Sequence, residues 1–305
     1  MTAVAVASCS EKNVDLVQYE EKEELVTFSV SVPLADTKSV GLPDERNINT
    51  LQVFVFNRYG VYETYSYSSN NTVTLTCTAG EKRIVAMVNA NTEEDVIDYD
   101  DLAARSLYLR DTGKGDLVML GDSILTVTGK QPISIDVRHL SSKIILESVS
   151  LEFQNEHLQE LPFAVKSVFL TNVAGDRKYI ADSTPSVWFH QNGYDKNNTL
   201  PFLYDQVSNG HIVSGGDPYG TEHYFYCYSN ETNNKTRLVI EAEIDGQRYY
   251  YPIVLDKVLP NNQYSYNVVL TRLGIDSPDG SLDKETYSVT VSMKDWQKNS
   301  SVVEI

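Results

Sequence analysis

A serine beside a histidine base held by an acid makes a nucleophile, and this 305-residue chain contains one such set of blocks. Gly121-Asp122-Ser123 is followed by Asp136-Val-Arg-His139. A hydrolase of this type sets its serine where a strand enters a helix of an α/β sheet. Here one hairpin separates the blocks in a chain without parallel-sheet helices, so both are expected to be structural. None of the five histidines (His139, His157, His190, His211 and His223) falls two or four residues from another His, and the single His–Cys pair at that spacing, His223 and Cys227, supplies only two ligands, which argues against a histidine metal site. Asp276-Ser-Pro-Asp279-Gly-Ser-Leu-Asp283 could offer oxygens to Ca²⁺, but it lacks the alternating ligand positions of an EF-hand and reads as an acidic turn. There is no Gly-rich phosphate loop or dinucleotide fingerprint. Neither a catalytic residue nor a cofactor is expected.

The three cysteines, Cys9, Cys77 and Cys227, cannot all pair, and no CxxC occurs. Cys77 shares strand parity with Val73 and Leu75, and Cys227 with Phe225, so both read as core side chains. Cys9 differs. It closes the apolar run Ala3–Ser8, and Val6-Ala7-Ser8-Cys9 is similar to a bacterial lipobox, whose Cys is lipidated and becomes the first residue of the mature protein. The polar stretch Ser10–Asp15 suits a tether. No basic segment precedes the run, and the run is short. The other reading is an apolar N-terminus on a soluble chain. No later stretch offers 18 apolar residues for a membrane-spanning helix.

Twenty-five Lys and Arg against 42 Asp and Glu give a formal charge of −17. Such a polyanion is a poor partner for nucleic acid or an anionic lipid surface. With 41% hydrophobic residues the chain is too apolar to be an acidic disordered one, and its 20 Tyr favour pleated, half-buried surfaces.

Period-two alternation dominates. Val26, Phe28, Val30, Val32 and Leu34 share one face. Leu51–Phe56 is apolar on both faces and should be an interior strand. Thr72–Thr78, Lys82–Val88, Asp116–Leu120, Ile124–Thr128 and Ile133–Val137 continue the pattern, and Thr92 predicts the N-cap of a helix running to Leu109. Beyond His139 strands are predicted over Lys143–Phe153, Phe163–Asn172, Tyr224–Ser229, Thr236–Ile244, Arg248–Leu255, Tyr264–Arg272 and Thr286–Trp296, with an Asp245-Gly246 hairpin turn. The polar segment 182–222 carries Trp188, Tyr194 and Tyr204, aromatics on which sugar rings could stack. Its Asn-rich character extends to the Asn-x-Ser/Thr sequences at Asn70, Asn197, Asn230, Asn234 and Asn299, read here as loops. The expected fold is all-β: a tether over 1–21, then two tandem β-sandwiches over 22–140 and 141–305.

The blocks in order bear a family resemblance. Ile48–Asn57 with a turn ending at Gly60, Glu81-Lys-Arg-Ile-Val-Ala-Met-Val-Asn89, Arg138-His-Leu-Ser-Ser-Lys143, Tyr226–Asn230, Thr236–Ala242, Tyr249-Tyr-Tyr-Pro-Ile253, Asn267–Gly274 and Val291-Ser-Met-Lys-Asp-Trp296 together resemble the Bacteroides-type fimbrillins, the lipoprotein subunits of type V pili. The resemblance implies transthyretin-like sandwiches and export as a lipoprotein. It also implies cleavage by a trypsin-like protease after the first strand, then polymerisation as a neighbour's C-terminal strand fills the vacated groove. Carried onto this chain, Cys9 is the lipidation site, Val26 to Leu34 form the displaceable strand, and Tyr287, Val289, Val291 and Met293 form the donor, which Val302–Ile305 could extend. The implied Arg of the processing loop is missing. Lys38 stands at the nearest position and Arg46 is the other basic candidate. If neither is cut, the subunit would keep its lipid and act as an anchor or minor component. The implied partners are other fimbrial subunits, alike or different, and surface ligands of host or bacterium. The membrane is reached only through the lipid. The alternative is an outer-membrane-anchored surface lipoprotein that binds glycan or protein through its aromatic loop without polymerising.

Overall fold

The alternating stretches fold as strands because one face of each is apolar enough to be buried and the other is not. The computed structural model describes residues 24–33, 43–181, 183–283 and 286–296. The first half supplies β1 (Leu25–Ser31), β2 (Leu51–Asn57), β3 (Tyr62–Ser68), β4 (Thr72–Thr78), β5 (Gly80–Val88), a short helix α1 (Tyr99–Ala104), β6 (Ser106–Tyr108), β7 (Met119–Val127), β8 (Pro132–Ser134) and β9 (Arg138–His139). Two sheets form here, in the orders β4-β1-β8 and β3-β2-β5-β7-β9. They enclose a core in which Val26, Phe28 and Val30 meet Val53, Val55, Leu75, Ile84 and Ile133.

The second half begins two residues after β9. It contributes β10 (Ser142–Leu151), α2 (Glu156–Gln159), β11 (Phe163–Thr171), β12 (Val173–Ala174), β13 (Asp176–Lys178), β14 (Trp188–Phe189), β15 (Tyr204–Gln206), β16 (His211–Ile212), β17 (His223–Cys227), β18 (Arg237–Ile244), β19 (Gln247–Val254), β20 (Asn262–Leu270) and β21 (Tyr287–Asp295). The sheets β17-β10-β20-β21 and β15-β11-β18-β19 sandwich a second core that includes Ile144, Leu146, Val168, Leu170, Phe225 and Ile240. Asp245 and Gly246, both at positive φ, make the β18–β19 hairpin turn as the Asp-Gly pair predicts. Cys77 and Cys227 are buried, and burial pushes their thiols up to about 11 and about 12.

β2 is apolar on both faces for a visible reason. Val53 and Val55 fill the first core, while Phe54 and Phe56 face Leu102, Leu107 and Leu109 in a cluster continuous with the second. The buried Gln52 is tolerated because its amide donates to the carbonyls of Ala90 and Asn91 and accepts from the Glu93 amide. β6 pairs antiparallel with β13, so a strand from each half joins the two.

Two expectations need correction. The helix spans only Tyr99–Ala104 and is capped by Asp98, whose side chain accepts from the Asp101 amide at 2.8 Å. The acidic run before it does not form a first turn. Glu93 and the carbonyls of Glu94 and Asp95 wrap the Arg105 guanidinium instead, with Asp95 at positive φ. Residues 116–128, read as two strands, contain the single strand β7, so Gly121-Asp-Ser123 lies mid-strand rather than between strands. A Cβ at Gly121 would sit 2.4 Å from the Asp136 carbonyl oxygen, which explains that glycine by packing.

Candidate functional site

β1 occupies the middle of its sheet. It runs antiparallel to β4, with Val26 opposite Cys77, Phe28 opposite Leu75 and Val30 opposite Val73, and parallel to β8, with Val30 opposite Ile133. Val26, Phe28, Val30 and Val32 are at most 5% exposed. Each such side chain contributes roughly 1.5–3 kcal/mol through burial. Without β1, two ladders would lose their partner, leaving β4 and β8 about 9.6 Å apart, two strand spacings, over an uncovered apolar floor. Leu34 and Lys38 lie outside the described residues, as does Cys9. Arg46 ends a single 3-10 turn, Pro43–Arg46, five residues before β2.

β21 lies at the edge of its sheet and is paired along its length to β20, from Leu270 opposite Tyr287 to Asn262 opposite Asp295. Tyr287, Val289, Val291 and Met293 share one half-buried face against the second core. Their two-residue spacing equals that of Val26, Phe28, Val30 and Val32.

The three loop aromatics separate. Tyr194 and Tyr204 stack at 4.2 Å, and Phe169 and His190 pack around them. Tyr194 stays 40% exposed, so this stack has an open face. Trp188 is elsewhere: it is half-buried against the core, paired with Ala174 in the β12–β14 ladder. Among the described residues no three His, Cys, Asp or Glu side chains are placed to hold a metal ion. Burial raises the Asp279 carboxyl above its ordinary range.

The hydrolase-like blocks do not converge. His139 is opposite Met119 on the neighbouring strand, and Ser123 lies four residues along β7, about 13 Å away at 3.3 Å per residue. Asp122 is held by the Arg83 guanidinium and the Tyr99 hydroxyl.

The family model for the major fimbrial subunit protein FimA matches residues 27–180, beginning inside β1. The chain belongs to this family. Solved structures share its fold. A cell-adhesion candidate from Bacteroides eggerthii is 20% identical, with TM-score 0.70 over 90% of this chain and 97% of its own. A fimbrilin of Porphyromonas gingivalis is 16% identical, with TM-score 0.68 over 89% and 98%. The tip fimbrial protein Mfa3 of the same organism is 12% identical, with TM-score 0.54 over 90% and 100%. A search of curated protein sequences finds no match. Membership in a family of fimbrial subunits places the chain in a pilus, on the cell surface, among other subunits.

Two side-chain constellations in this fimbrial subunit have no counterpart in the sequence pattern. Asp205, His223 and Tyr219 form a chain, with 3.1 Å from His223 Nδ1 to Asp205 Oδ2 and 2.8 Å from Nε2 to the Tyr219 hydroxyl. The hydroxyl is buried, and burial raises its pKa. The other joins the halves. Glu45, 1% exposed, pairs with Lys143 Nζ at 2.7 Å, accepts from the Tyr226 hydroxyl, and accepts from the Trp296 indole at 3.2 Å. Burial lowers the Lys143 pKa despite its partner. Trp296 stacks on His139 at 4.1 Å, and burial, with Lys143 nearby, pulls the imidazole pKa down to about 3. The one signal in the sequence was a lysine opening the apolar run Ile144-Ile-Leu146.

Proposed function

We propose that the chain is a structural pilin exported as a lipoprotein through Cys9, trimmed after its first strand and polymerised by strand exchange. The observation that carries this reading is the place of β1: the middle strand of a three-stranded sheet, with four core side chains on one face. Losing an edge strand would expose one ladder. Losing β1 opens a groove with acceptors and donors on both walls and an apolar floor, which only another alternating strand can fill. β21 has that alternation and lies at an edge, so it can leave without splitting its own sheet. The division of the chain at 140/141 fits this scheme, with the groove in one unit and the donor in the other.

Lys38 is the better processing site. A protease needs an extended stretch around the bond it cuts. For Arg46 that stretch includes Glu45, whose side chain is 1% exposed and ion-paired. N-terminal sequencing of the protein recovered from cells tests this. A start at Ser39, together with protease-dependent, SDS-resistant ladders, is expected. Monomer alone after complete cleavage would refute polymerisation. A second reading, ligand capture by the open Tyr194–Tyr204 stack, is compatible with the first.

A further inference from the structure

Glu45, Lys143 and Trp296 come from three distant parts of the chain. Glu45 lies between the two processing candidates, Lys38 and Arg46, in the 3-10 turn ahead of β2, Lys143 is the second residue of β10, and Trp296 follows directly on β21. Glu45 Oε1 receives Lys143 Nζ at 2.7 Å and the Tyr226 hydroxyl, while Oε2 receives the Trp296 indole N–H at 3.2 Å. Lys143 and Glu45 are 2% and 1% exposed, and Trp296 is 4% exposed. The indole is gripped on its faces by His139 at 4.1 Å and Tyr226 at 5.9 Å, and its backbone amide donates to the Asn261 carbonyl at 2.9 Å. The Asn261 side chain in turn donates to Asp295, the last residue of β21, and accepts from the His139 amide.

A buried charge pair is stiff because neither partner can move away without leaving the other uncompensated in a poor solvent for ions. Lys143 therefore fixes the carboxylate, and the carboxylate fixes the indole. At the Tyr287 end of β21 the described residues show backbone bonds of Thr286 to Thr271 and Asp283, beside an apolar face that is only half-buried, and no buried ion pair. The strand is an edge strand held along one ladder and pinned at its Trp296 end.

We propose that Glu45 is a positioning residue for strand exchange: clamped by Lys143, it latches the Trp296 end of β21 to its own subunit, and this latch must open before that strand can be given to a neighbour. The proposal rests on the strand-exchange reading above. It also separates the two processing candidates. A cut after Lys38 leaves Glu45 on the mature chain and the latch closed. A cut after Arg46 would carry Glu45 away with β1, leaving Lys143 a buried orphan cation.

Two double variants test the latch without stranding a charge. Glu45→Leu with Lys143→Met removes both charges and leaves the indole no acceptor. Glu45→Gln with Lys143→Met removes both charges but keeps an acceptor oxygen for the indole. Amide hydrogen exchange is measured by mass spectrometry on the full unprocessed chain. The Leu/Met variant is expected to exchange Tyr287–Asp295 at least about tenfold faster than the parent, the loss of one hydrogen bond to a charged acceptor. The Gln/Met variant should stay near the parent, and the β18–β19 hairpin should be unaffected in both. Unchanged β21 exchange in the Leu/Met variant overturns the proposal, as does an equal rise throughout the chain or an equal rise in both variants. Exchange is read on monomer and needs no assembly. After processing, the Leu/Met variant should also form SDS-resistant ladders faster. Faster β21 exchange with no ladders from any variant, parent included, upholds the fastening of β21 and removes the strand-exchange reading beneath it.

Discussion

Phe28→Ala separates the chain before assembly from the chain after it. Phe28 is 2% exposed, faces Leu75 across the β1–β4 ladder and lies in the first core. Truncating a phenyl in such a site costs about 3–5 kcal/mol in lost burial and residual cavity. Total stability of a folded chain is only about 5–15 kcal/mol, so the unprocessed variant should still fold but melt roughly 10 °C lower. If β1 is discarded on assembly, position 28 is absent from the fibre, and the fibre's stability should not register the substitution. Leu75→Ala is the control: Leu75 stays on the groove wall whichever strand fills it and should weaken both forms. The assay is thermal unfolding by circular dichroism on unprocessed monomer and on washed fibres of each variant. Phe28→Ala fibres weakened as much as the monomer would show that β1 is retained. An unprocessed monomer that melts normally would show that Phe28 does not bear the load its burial implies.

Four further outcomes are expected. The His139 pKa falls from 6.5 to about 3 on folding. Between those values the unfolded chain binds a proton that the folded chain refuses, so stability is lost as the pH drops through that window. At pH 4.5 this costs roughly 3 kcal/mol, and His139→Phe, which keeps a ring against Trp296, should flatten that part of the urea-midpoint profile relative to the parent. Gly121→Ala forces a Cβ to within 2.4 Å of the Asp136 carbonyl oxygen and should lower the urea midpoint by the equivalent of roughly 1–3 kcal/mol. If the aromatic loop holds a sugar ring, Tyr194→Ala should abolish glycan-array binding while Trp188→Ala leaves it, because Trp188 is not in the stack. Raising salt from 20 to 150 mM should speed assembly, since it screens repulsion between like-charged subunits.

The strands were legible because a buried face writes period two into the chain, and Val26 to Val32 and Thr72 to Thr78 keep it without a break. The interior position of β2 was legible for a related reason: a strand covered on both sides has no need of polar residues. The helix was misread because local propensity saw acids after Thr92, whereas Arg105, ten or more residues away, recruits them as ligands. Residues 121–123 fall between two predicted strands because Gly and Asp usually punctuate strands. Here glycine answers a close approach by Asp136, and Asp122 answers Arg83. The latch was invisible for a deeper reason. Periodicity reports which face of an element is buried, not which other element buries it, and Glu45 meets Lys143 and Trp296 across 98 and 251 residues of sequence.

Charge shapes how such a subunit can assemble. Residues 1–38 carry seven acidic and three basic side chains, a net −4, so a chain beginning at Ser39 keeps −13 of the original −17. Copies this acidic repel one another at long range, which disfavours side-by-side association of their exposed edges. The repulsion fades within about 8 Å at physiological ionic strength, whereas a strand entering the β4–β8 groove is bonded at contact distance, through neutral backbone groups on both sides and apolar side chains below. On the strand-exchange reading, the same acidity that disfavours unspecific aggregation would leave the groove as the favoured route to a partner. The proposed latch would then have a purpose: a donor strand parked at Glu45 would not be offered to every neighbour it meets, only to a groove that can outcompete its own ladder.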